Sequence, residues 1–325
     1  MRAERSNLEI ATSFILFTPR NDKKFSMLQI INKRKYFYVL SSCLLLASLV
    51  AIFSWGLKFN IDFTGGTTMQ VMLSQDDSIN QTDLETALQE MNLTGLSVTK
   101  NNQDVTIKYL GSNDEINTQV FEKIVSLDSG AQQESLDFKG ASVSNQLKKS
   151  AIIAVLLGVI GIALYIAWAF RKVTRPVSSW KYGLGAVVAL FHDILITVGI
   201  FVTLGHFFGI EVGVPFVAAL LTVLGYSVND TIVVYDRTRE NLLRSSSKED
   251  FEETVNRSLN ETLARSINTS MTVIIVLIFI ILLGSESIRW FSVALLAGVT
   301  FGTYSSIYVA SALLVTIYKW QLKNK

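Results

Sequence analysis

Cysteine, histidine, proline and charge are all scarce in this chain of 325 residues. The single cysteine, Cys43, excludes an intrachain disulfide. Charged residues make up 17% of the sequence, against roughly 25% in ordinary soluble domains. No basic patch interleaved with aromatic residues occurs, which argues against a nucleic-acid partner. There is also no nucleophile–base constellation, nucleotide loop or metal-ligand spacing, so we expect no enzyme, no metal site and no bound cofactor.

The chain has long apolar runs instead. Hydrophobic residues make up 50% of it, and the mean hydropathy is +0.38. A run of about 20 apolar residues is long enough to cross a membrane as a helix. A buried soluble core could supply one or two such runs, but the sequence contains six, so it predicts an α-helical polytopic membrane protein. The six predicted spans are 36–57, 151–170, 182–204, 212–235, 266–283 and 290–318.

Lysine and arginine are concentrated in the segments on one side of these spans, namely 33–35, 171–181, 237–257 and 319–325. An excess of Lys and Arg marks cytoplasmic loops, so both termini are expected in the cytoplasm and the loop 58–149 on the other side.

The sequence therefore predicts five parts of the chain in order. They are a cytoplasmic N-terminal extension (1–35), a first transmembrane helix (36–57), an exported domain (58–149), a bundle of five membrane helices (150–318) and a cytoplasmic tail (319–325).

Two segments outside the spans carry a weaker signal. We interpret residues 1–26 as a poorly ordered extension or the result of an upstream start codon; a weak amphipathic segment lying on the membrane is the alternative. Between the fourth and fifth spans, Phe251, Val255 and Leu259 have the spacing of one amphipathic helix. We expect that helix to lie at the cytoplasmic surface.

The predicted exported domain has the pattern of a small α+β unit. Strand-like runs at 67–73, 96–100, 105–110 and 133–138 are interrupted by helical patterns at 81–91 and 114–127. The order β-α-β-β-α-β predicts a ferredoxin-like fold. The segment has no histidine or cysteine, so a packing or recognition role is expected rather than catalysis.

Asp230 is the most informative single residue, because it lies inside the fourth span with no charged residue from 212 to 229. An ionisable group in a span is unfavourable by about 3 kcal/mol on insertion scales, and such groups mark ion paths and relays. The helical rise places Asp230 about 27 Å from residue 212, in the cytoplasmic half. Asn229 is a candidate for polar support. The alternative is that Asp230 only hydrogen-bonds a neighbouring helix.

Arg265 lies where the fifth span begins. Alone it would be an ordinary interfacial arginine. Positions 265, 269 and 272 share one helical face, however, and this polar face is unsuited to lipid. We expect it to point at the fourth span, with Thr269 in support, and we hypothesise that Asp230 and Arg265 form a pair that breaks on protonation and re-forms on release.

The third span contains the neighbouring pair His192 and Asp193. Adjacent residues on a helix point about 100° apart, so at most one is expected to face an ion path. Either residue is a candidate relay station, since histidine titrates near neutral pH, or a helix-packing hydrogen-bond partner. In the sixth span, Gly298 and Gly302 form a small-xxx-small pattern that is typical of a packing face.

Several of these residues occur in motifs that resemble those of the SecF branch of the SecD/SecF family, protein-export membrane subunits of the resistance-nodulation-division superfamily. The motifs span residues 33–325 in the family's order, whereas the first 26 residues and the acidic stretch after Arg244 depart from it. They are Asp62-Phe63-Thr64-Gly65-Gly66, His192-Asp193, the run from Val228 to Arg237, the run from Arg265 to Ser270, and Gly302-Thr303-Tyr304-Ser305-Ser306.

The resemblance implies an accessory subunit of the Sec protein translocase in a bacterial cytoplasmic (inner) membrane. Such a subunit pairs with SecD, associates with the SecYEG channel, and uses the proton gradient, or in some bacteria the sodium gradient, to promote preprotein export. YajC, YidC, SecA and membrane lipid are further expected partners. No cofactor other than the coupling ion, H⁺ or Na⁺, is implied.

The resemblance also implies roles for individual residues. Asp230 and Arg265 match the family's ion-coupling residues. Asp62, Gly65 and Gly66 match its structural turn into the exported domain, where glycine allows positive φ.

Two other functions stay open from the sequence. A half-size ion-coupled efflux transporter of the same superfamily would need a partner and a substrate pocket, because such transporters carry two six-helix halves in one chain. A passive scaffold for the translocon predicts that the substitutions Asp230→Asn and Arg265→Ala are both silent.

Overall fold

A computed structural model describes residues 27–74, 79–111, 113–171, 177–244 and 250–323. The expectations for residues 1–26, and the basic residues predicted in loops 172–176 and 245–249 and at the end of the tail, lie outside these ranges.

Within the described residues the chain forms ten α-helices and four strands. In chain order they are α1 (Arg34–Trp55), α2 (Ile61–Thr64), β1 (Gly66–Met72), α3 (Gln81–Gln89), β2 (Ser97–Asn101), β3 (Asp104–Tyr109), α4 (Asp114–Leu127), β4 (Gln132–Lys139), α5 (Ala141–Ala169), α6 (Ser179–Phe208), α7 (Val214–Arg244), α8 (Phe251–Leu283), α9 (Glu286–Ser305) and α10 (Ser311–Lys323). A π-helical turn, Ser306–Ala310, joins α9 to α10.

Six helical segments are long and apolar enough to cross a membrane, as predicted. They are α1 with the turn before it, α5, α6, α7, α8, and the continuous path through α9 and α10. In α6, in α7 and in the last segment, 50% of the most apolar window is buried within the chain, whereas the figure for α5 is 6%. The first three therefore form the interior of the bundle, and α5 lies at its edge.

The sheet domain between α1 and α5 has the predicted order of strands and helices. Its four strands are antiparallel in the order β2-β3-β1-β4. Alternate strand residues such as Met69 and Ile107 are fully buried with Leu84 of α3 and Val120 of α4. The opposite face carries polar residues and lines a cleft against the helix bundle. Alternation of apolar and polar residues along the strands thus builds both the domain core and the cleft.

Helix boundaries differ from prediction in two places. Helix α5 begins at Ala141, so its first turns fall inside the segment assigned to the exported domain. The prediction of a separate surface helix around Phe251 is wrong. Helix α8 runs unbroken from Phe251 to Leu283 and buries Val255 and Leu259 in the bundle core. No glycine or proline occurs between 251 and 283, so nothing ends the helix between its polar and apolar parts.

The polar start of α8 binds both ends of the described chain. Arg34 and Lys319 each form an ion pair with Glu252. The backbone N–H of Leu28 donates to Asn260 Oδ1 at 2.9 Å, and its carbonyl accepts from Asn256 Nδ2 at 3.0 Å. These contacts fix α8 at the end of the bundle that is remote from the sheet domain.

Candidate functional site

Two acidic side chains are buried in the bundle: Asp193 of α6 and Asp230 of α7, with 1% and 4% of their surface exposed. By the 1.5 Å rise, Asp230 lies about 24 Å along α7 from Val214. Both carboxylates are thus well inside membrane-length helices. Their surroundings differ in the number of hydrogen-bond donors.

Asp193 is fully hydrogen-bonded. Its Oδ2 accepts from Ser227 Oγ of α7 at 2.6 Å and from Ser305 Oγ of α9 at 2.8 Å, and its Oδ1 lies 2.9 Å from His192 Nδ1. The expectation that at most one member of the His192–Asp193 pair faces an ion path stays a prediction. Both side chains reach around the helix far enough to hydrogen-bond each other, so they enter the same buried network.

The π-helical turn places further hydroxyls in this network. Ser306 Oγ lies 2.8 Å from Thr231 Oγ1 and donates to the carbonyl of Ser227 at 3.1 Å. Ser311 Oγ donates to the carbonyl of Ser306 at 3.0 Å, across the wider turn. π-Helical turns are rare and often lie at functional sites. This turn was not predicted from the sequence; the signal for it is the cluster of serines at 305, 306 and 311 in an apolar helix.

Gly298 and Gly302 let α9 approach α7 closely. A Cβ atom at position 302 would lie 2.8 Å from Ser227 Cβ, and one at 298 would overlap Val223. The two glycines therefore form a packing face, in agreement with the small-xxx-small pattern.

Asp230 has far fewer partners than Asp193. Ser270 Oγ of α8 donates to Asp230 Oδ2 at 3.4 Å, and the same hydroxyl contacts Thr303 of α9. Ser266 also lies beside the carboxylate, and its buried hydroxyl has no partner that meets hydrogen-bond geometry among the described residues. Among the described residues, Asp230 is thus a buried acid near three hydroxyls, those of Ser266, Ser270 and Thr303, with one long hydrogen bond.

Arg265 lies close enough to Asp230 for a Coulomb interaction, but within the described part of the chain no ion pair of 4 Å or less joins them. Its side chain is exposed, as are Thr269 and Thr272. Thr269 and Thr272 therefore do not pack against the fourth span as predicted, whereas Arg265 lines a cavity together with residues of α7. The face that meets Asp230 is one residue further on, at Ser266 and Ser270, which corresponds to a rotation of about 100° around α8.

Two candidates for polar support face away from the carboxylate. Thr269 Oγ1 donates to the carbonyl of Arg265 in its own helix at 2.9 Å. Asn229 is exposed on the outer side of α7. The structure thus brings together Asp230, Ser266 and Ser270, and leaves Asn229 and Thr269 outside the cluster.

A polar cavity of about 570 Å³ reaches Arg265 from the end of the bundle that is remote from the sheet domain. Charged residues of α7 and α8 line it, including Arg237, whose guanidinium binds Glu240 and Glu261 at 2.6 Å each. A cavity of this size and polarity holds water, so Arg265 lies between a hydrated space and the Asp230 cluster.

The predicted turn at the start of the sheet domain contacts the bundle. Gly65 and Gly66 have φ values of +77° and +124°. A Cβ atom on Gly66 would lie 2.6 Å from the carbonyl oxygen of Tyr109, so both the backbone conformation and the space require glycine there. Asp62 Oδ2 accepts a hydrogen bond from the backbone N–H of Val214, the first residue of α7, at 3.0 Å.

Residues 119–320, more than half of the chain, match the family described as protein export membrane protein SecD/SecF, C-terminal. The protein translocase subunit SecF of Thermobaculum terrenum is 38% identical over 310 residues, which cover 92% of this chain and 95% of that protein. The SecDF translocase subunit of Thermus thermophilus is 35% identical over 300 residues, or 89% of this chain and 38% of the longer protein.

A solved structure shows the same architecture. The crystal structure of SecDF from Thermus thermophilus, titled a translocon-associated membrane protein, superposes with a TM-score of 0.80 at 31% identity, covering 98% of this chain and 42% of that one. Its six membrane-length helices make the chain a multi-pass membrane protein, and its relatives make it a protein-transport protein. It belongs to the SecD/SecF family, and within it to the SecF subunits of the protein translocase.

Proposed function

We propose that this subunit pairs with SecD and uses the proton or sodium gradient to promote preprotein export through the Sec channel. The observation that carries the proposal is the contrast between the two buried acids. Within the described residues, Asp193 has three hydrogen-bond donors within 2.9 Å, whereas Asp230 is near the hydroxyls of Ser266, Ser270 and Thr303 and has one hydrogen bond, at 3.4 Å. Burying a poorly paired carboxylate costs several kcal/mol, so Asp230 is stable at that site when it binds a proton or a cation.

Arg265 supplies the second half of the cycle. Its guanidinium is permanently charged and lies at the polar cavity, while Asp230 is buried beside it. When Asp230 releases its ion, the arginine side chain turns inward and pairs with the carboxylate. When Asp230 binds an ion again, the attraction is lost and Arg265 returns to the cavity. The two states differ in the packing of α7 against α8.

The orientation follows from the loop charges. The sheet domain, whose strand order fits a ferredoxin-like fold, lies outside the cytoplasm of a bacterial inner membrane, and both termini lie inside. The cavity at Arg265 then opens to the cytoplasm. The exported domain lies where preproteins leave the channel.

Pairing with SecD is supported by a face of α7 that is unsuited to lipid. Its exposed residues recur at helical spacing and are small or polar; they are Ala218, Thr222, Gly225 and Asn229, which we call the α7 stripe. Small residues at such spacing allow a second helix to approach closely, and polar ones are rarely left facing hydrocarbon. The SecDF relative, of which this chain covers 38%, has further sequence beyond the matched region. SecD is the partner that this relationship supports.

The remaining partners rest on the family resemblance. SecYEG is the channel, preproteins are the substrate, and YajC, YidC and SecA are expected neighbours. The matched relatives are translocase subunits, which favours export over small-molecule efflux.

The test is preprotein export into inverted membrane vesicles that contain the subunit with SecD and the channel, under a proton gradient or a sodium gradient applied separately. Asp230→Asn is expected to abolish the gradient-dependent part of export and leave assembly unchanged. Asp104→Asn is the control, since Asp104 is an exposed acid of the sheet domain, away from Asp230 and the cavity at Arg265. Normal gradient-dependent export with Asp230→Asn would establish the scaffold function instead.

A further inference from the structure

The first turn of α7 has no capping side chain of its own. The residue before it is Gly213, and the second helical residue, Pro215, has no N–H. The free N–H of Val214 donates instead to Asp62 Oδ2 at 3.0 Å, across 152 positions of the chain. A carboxylate at a helix N-terminus accepts from the free amides and is attracted by the helix dipole. Asp62 is therefore an N-cap that a distant segment supplies to α7.

The backbone on both sides of this cap is paired. Val212 N donates to the carbonyl of Lys58 at 2.8 Å, and Asn60 N donates to the carbonyl of Val212 at 3.0 Å. Asn60 Oδ1 in turn accepts from the backbone N–H of Asp62 at 3.0 Å, which holds the aspartate in place. The chain entering the sheet domain and the chain entering α7 thus run side by side.

Gly213 makes this approach possible. A Cβ atom at position 213 would lie 2.6 Å from Asp62 Oδ2 and would overlap the amide of Asn60. Its φ is not in the positive range, so glycine is required here for space and not for backbone conformation. We call segments 58–62 and 211–214 together the domain joint.

Two further contacts strengthen the domain joint. Lys108 of β3 forms an ion pair of 2.7 Å with Glu211, and both side chains are about a quarter to a third exposed, at 30% and 26%. Ser144 Oγ of α5 donates to the carbonyl of Ile61 at 3.0 Å. The joint therefore connects the sheet, the start of α5 and the start of α7.

We propose that Asp62 is a positioning residue for ion coupling: through the domain joint, the sheet domain and α7 move as one body, so that a displacement of α7 at Asp230 is carried to the exported domain. This inference rests on the ion-coupled function proposed above. The Asp-Phe-Thr-Gly-Gly motif then has two functions: it forms the turn into the sheet domain, and its aspartate connects that domain to α7.

Hydrogen exchange of the intact subunit with SecD tests the cap. Asp62→Ala should speed exchange in the first turn of α7 by about fivefold, the change expected for losing a typical cap. Asp62→Asn keeps a side-chain oxygen acceptor and should stay close to the wild type. Asp137→Asn, an exposed acid lining the same cleft, is the control. The proposal is overturned if Asp62→Ala leaves this turn unchanged, or if β1 and β3 lose protection equally.

Vesicle export tests the coupling. Asp62→Ala should lose most of the gradient-dependent export, whereas Asp62→Asn should retain it. Equal export by both variants and the wild type, with the first turn of α7 frayed in Asp62→Ala, would mean that the cap is structural only.

Cross-linking tests whether the joint moves as one body. In a Cys43→Ser background, Lys108→Cys with Glu211→Cys is joined by a short cleavable bismaleimide, and export is compared before and after linking. The linked protein should keep its gradient-dependent export within about twofold. Loss of export that returns on cleavage would show that the joint opens during the cycle.

Export by Asp230→Asn is measured in the same assay to separate this inference from the proposed function. If Asp230→Asn exports normally, the ion-coupled function is wrong, whereas the hydrogen-exchange result still decides whether Asp62 caps α7.

Discussion

Ser270 Oγ donates to Asp230 Oδ2 at 3.4 Å, and the same hydroxyl also contacts Thr303 of the next helix. One serine thus joins α8, α9 and the buried acid of α7. The contact is long for a hydrogen bond between oxygens, whose usual distance is about 2.7–2.8 Å. The carboxylate is therefore held loosely, which suits a group that exchanges an ion.

Ser270→Ala should lower gradient-dependent export by about fivefold, because an alanine leaves the deprotonated carboxylate without its hydroxyl donor, and a contact of this length is worth roughly 1 kcal/mol. Thr269→Ala is the matched control: it also removes one hydroxyl of α8, but that hydroxyl bonds only to its own helix. Export into vesicles measures both. Equal effects of the two substitutions would contradict a specific role for Ser270 at Asp230.

Gly225→Leu should weaken association with SecD, because Gly225 lies in the α7 stripe and no atom of the described residues lies within 4 Å of a Cβ placed on it. A leucine fits the isolated subunit but would meet the partner helix. Gly161→Leu in α5 is the control, since Gly161 is equally open. Co-purification with tagged SecD should fall for the first variant only. Unchanged pairing by Gly225→Leu would place the interface elsewhere.

Asp193→Ala should destabilise the bundle by about 3–5 kcal/mol, since it leaves buried polar partners on three helices unpaired. Thermal unfolding of the detergent-solubilised protein measures the loss. Asp193→Asn should be milder in unfolding and should retain gradient-dependent export. An asparagine variant that is stable but inactive would make Asp193 a relay station instead of a packing residue.

The sheet domain should lose stability in acid through Asp128. Its carboxylate accepts hydrogen bonds from the hydroxyl and N–H of Ser74 and from the N–H of Gly130, and these bonds lower the pKa of Asp128 below its ordinary value. A lowered folded-state pKa gives stability that is complete above the ordinary value, near 3.9, and is lost as the pH falls through the folded-state value.

Acid-protease cleavage within residues 79–139, followed by mass spectrometry as the pH falls from about 5, measures this loss. Asp128→Asn should be cleaved more readily at the upper end of the range and should change less with pH than the wild type. Asp137→Asn serves as the exposed control. An unchanged pH profile in Asp128→Asn would remove Asp128 from the acid response.

The sequence predicted the six spans and the order of elements in the sheet domain because both depend on local periodicity. Helix ends were predicted less well. The first turns of α5 and α8 are helical but polar, so a prediction based on apolar runs begins each of these helices too late in the sequence. A break in hydropathy marks the edge of the membrane and not the end of a helix.

Asp230 was identified from sequence because an acid in an apolar run is conspicuous. The face of α8 that contacts Asp230 was not identified from sequence, because adjacent residues on a helix point about 100° apart and both candidate faces are polar. The contact between Asp62 and Val214 was beyond sequence reasoning, since it joins positions far apart in the chain. Only the packing of the sheet domain on the bundle brings them together.

In the proposed cycle, the Asp230 carboxylate gains and loses the coupling ion. Labelling by a hydrophobic carbodiimide, which reacts with protonated carboxyl groups, tests it directly when the modified residues are identified by mass spectrometry. Asp230 should be labelled and the exposed Asp236 should not, the rate should fall as the pH or the sodium concentration rises, and gradient-dependent export should be lost in step with labelling. An Asp230 that stays unlabelled at every pH, or a labelled protein that exports normally, would show that this carboxylate does not carry the coupling ion.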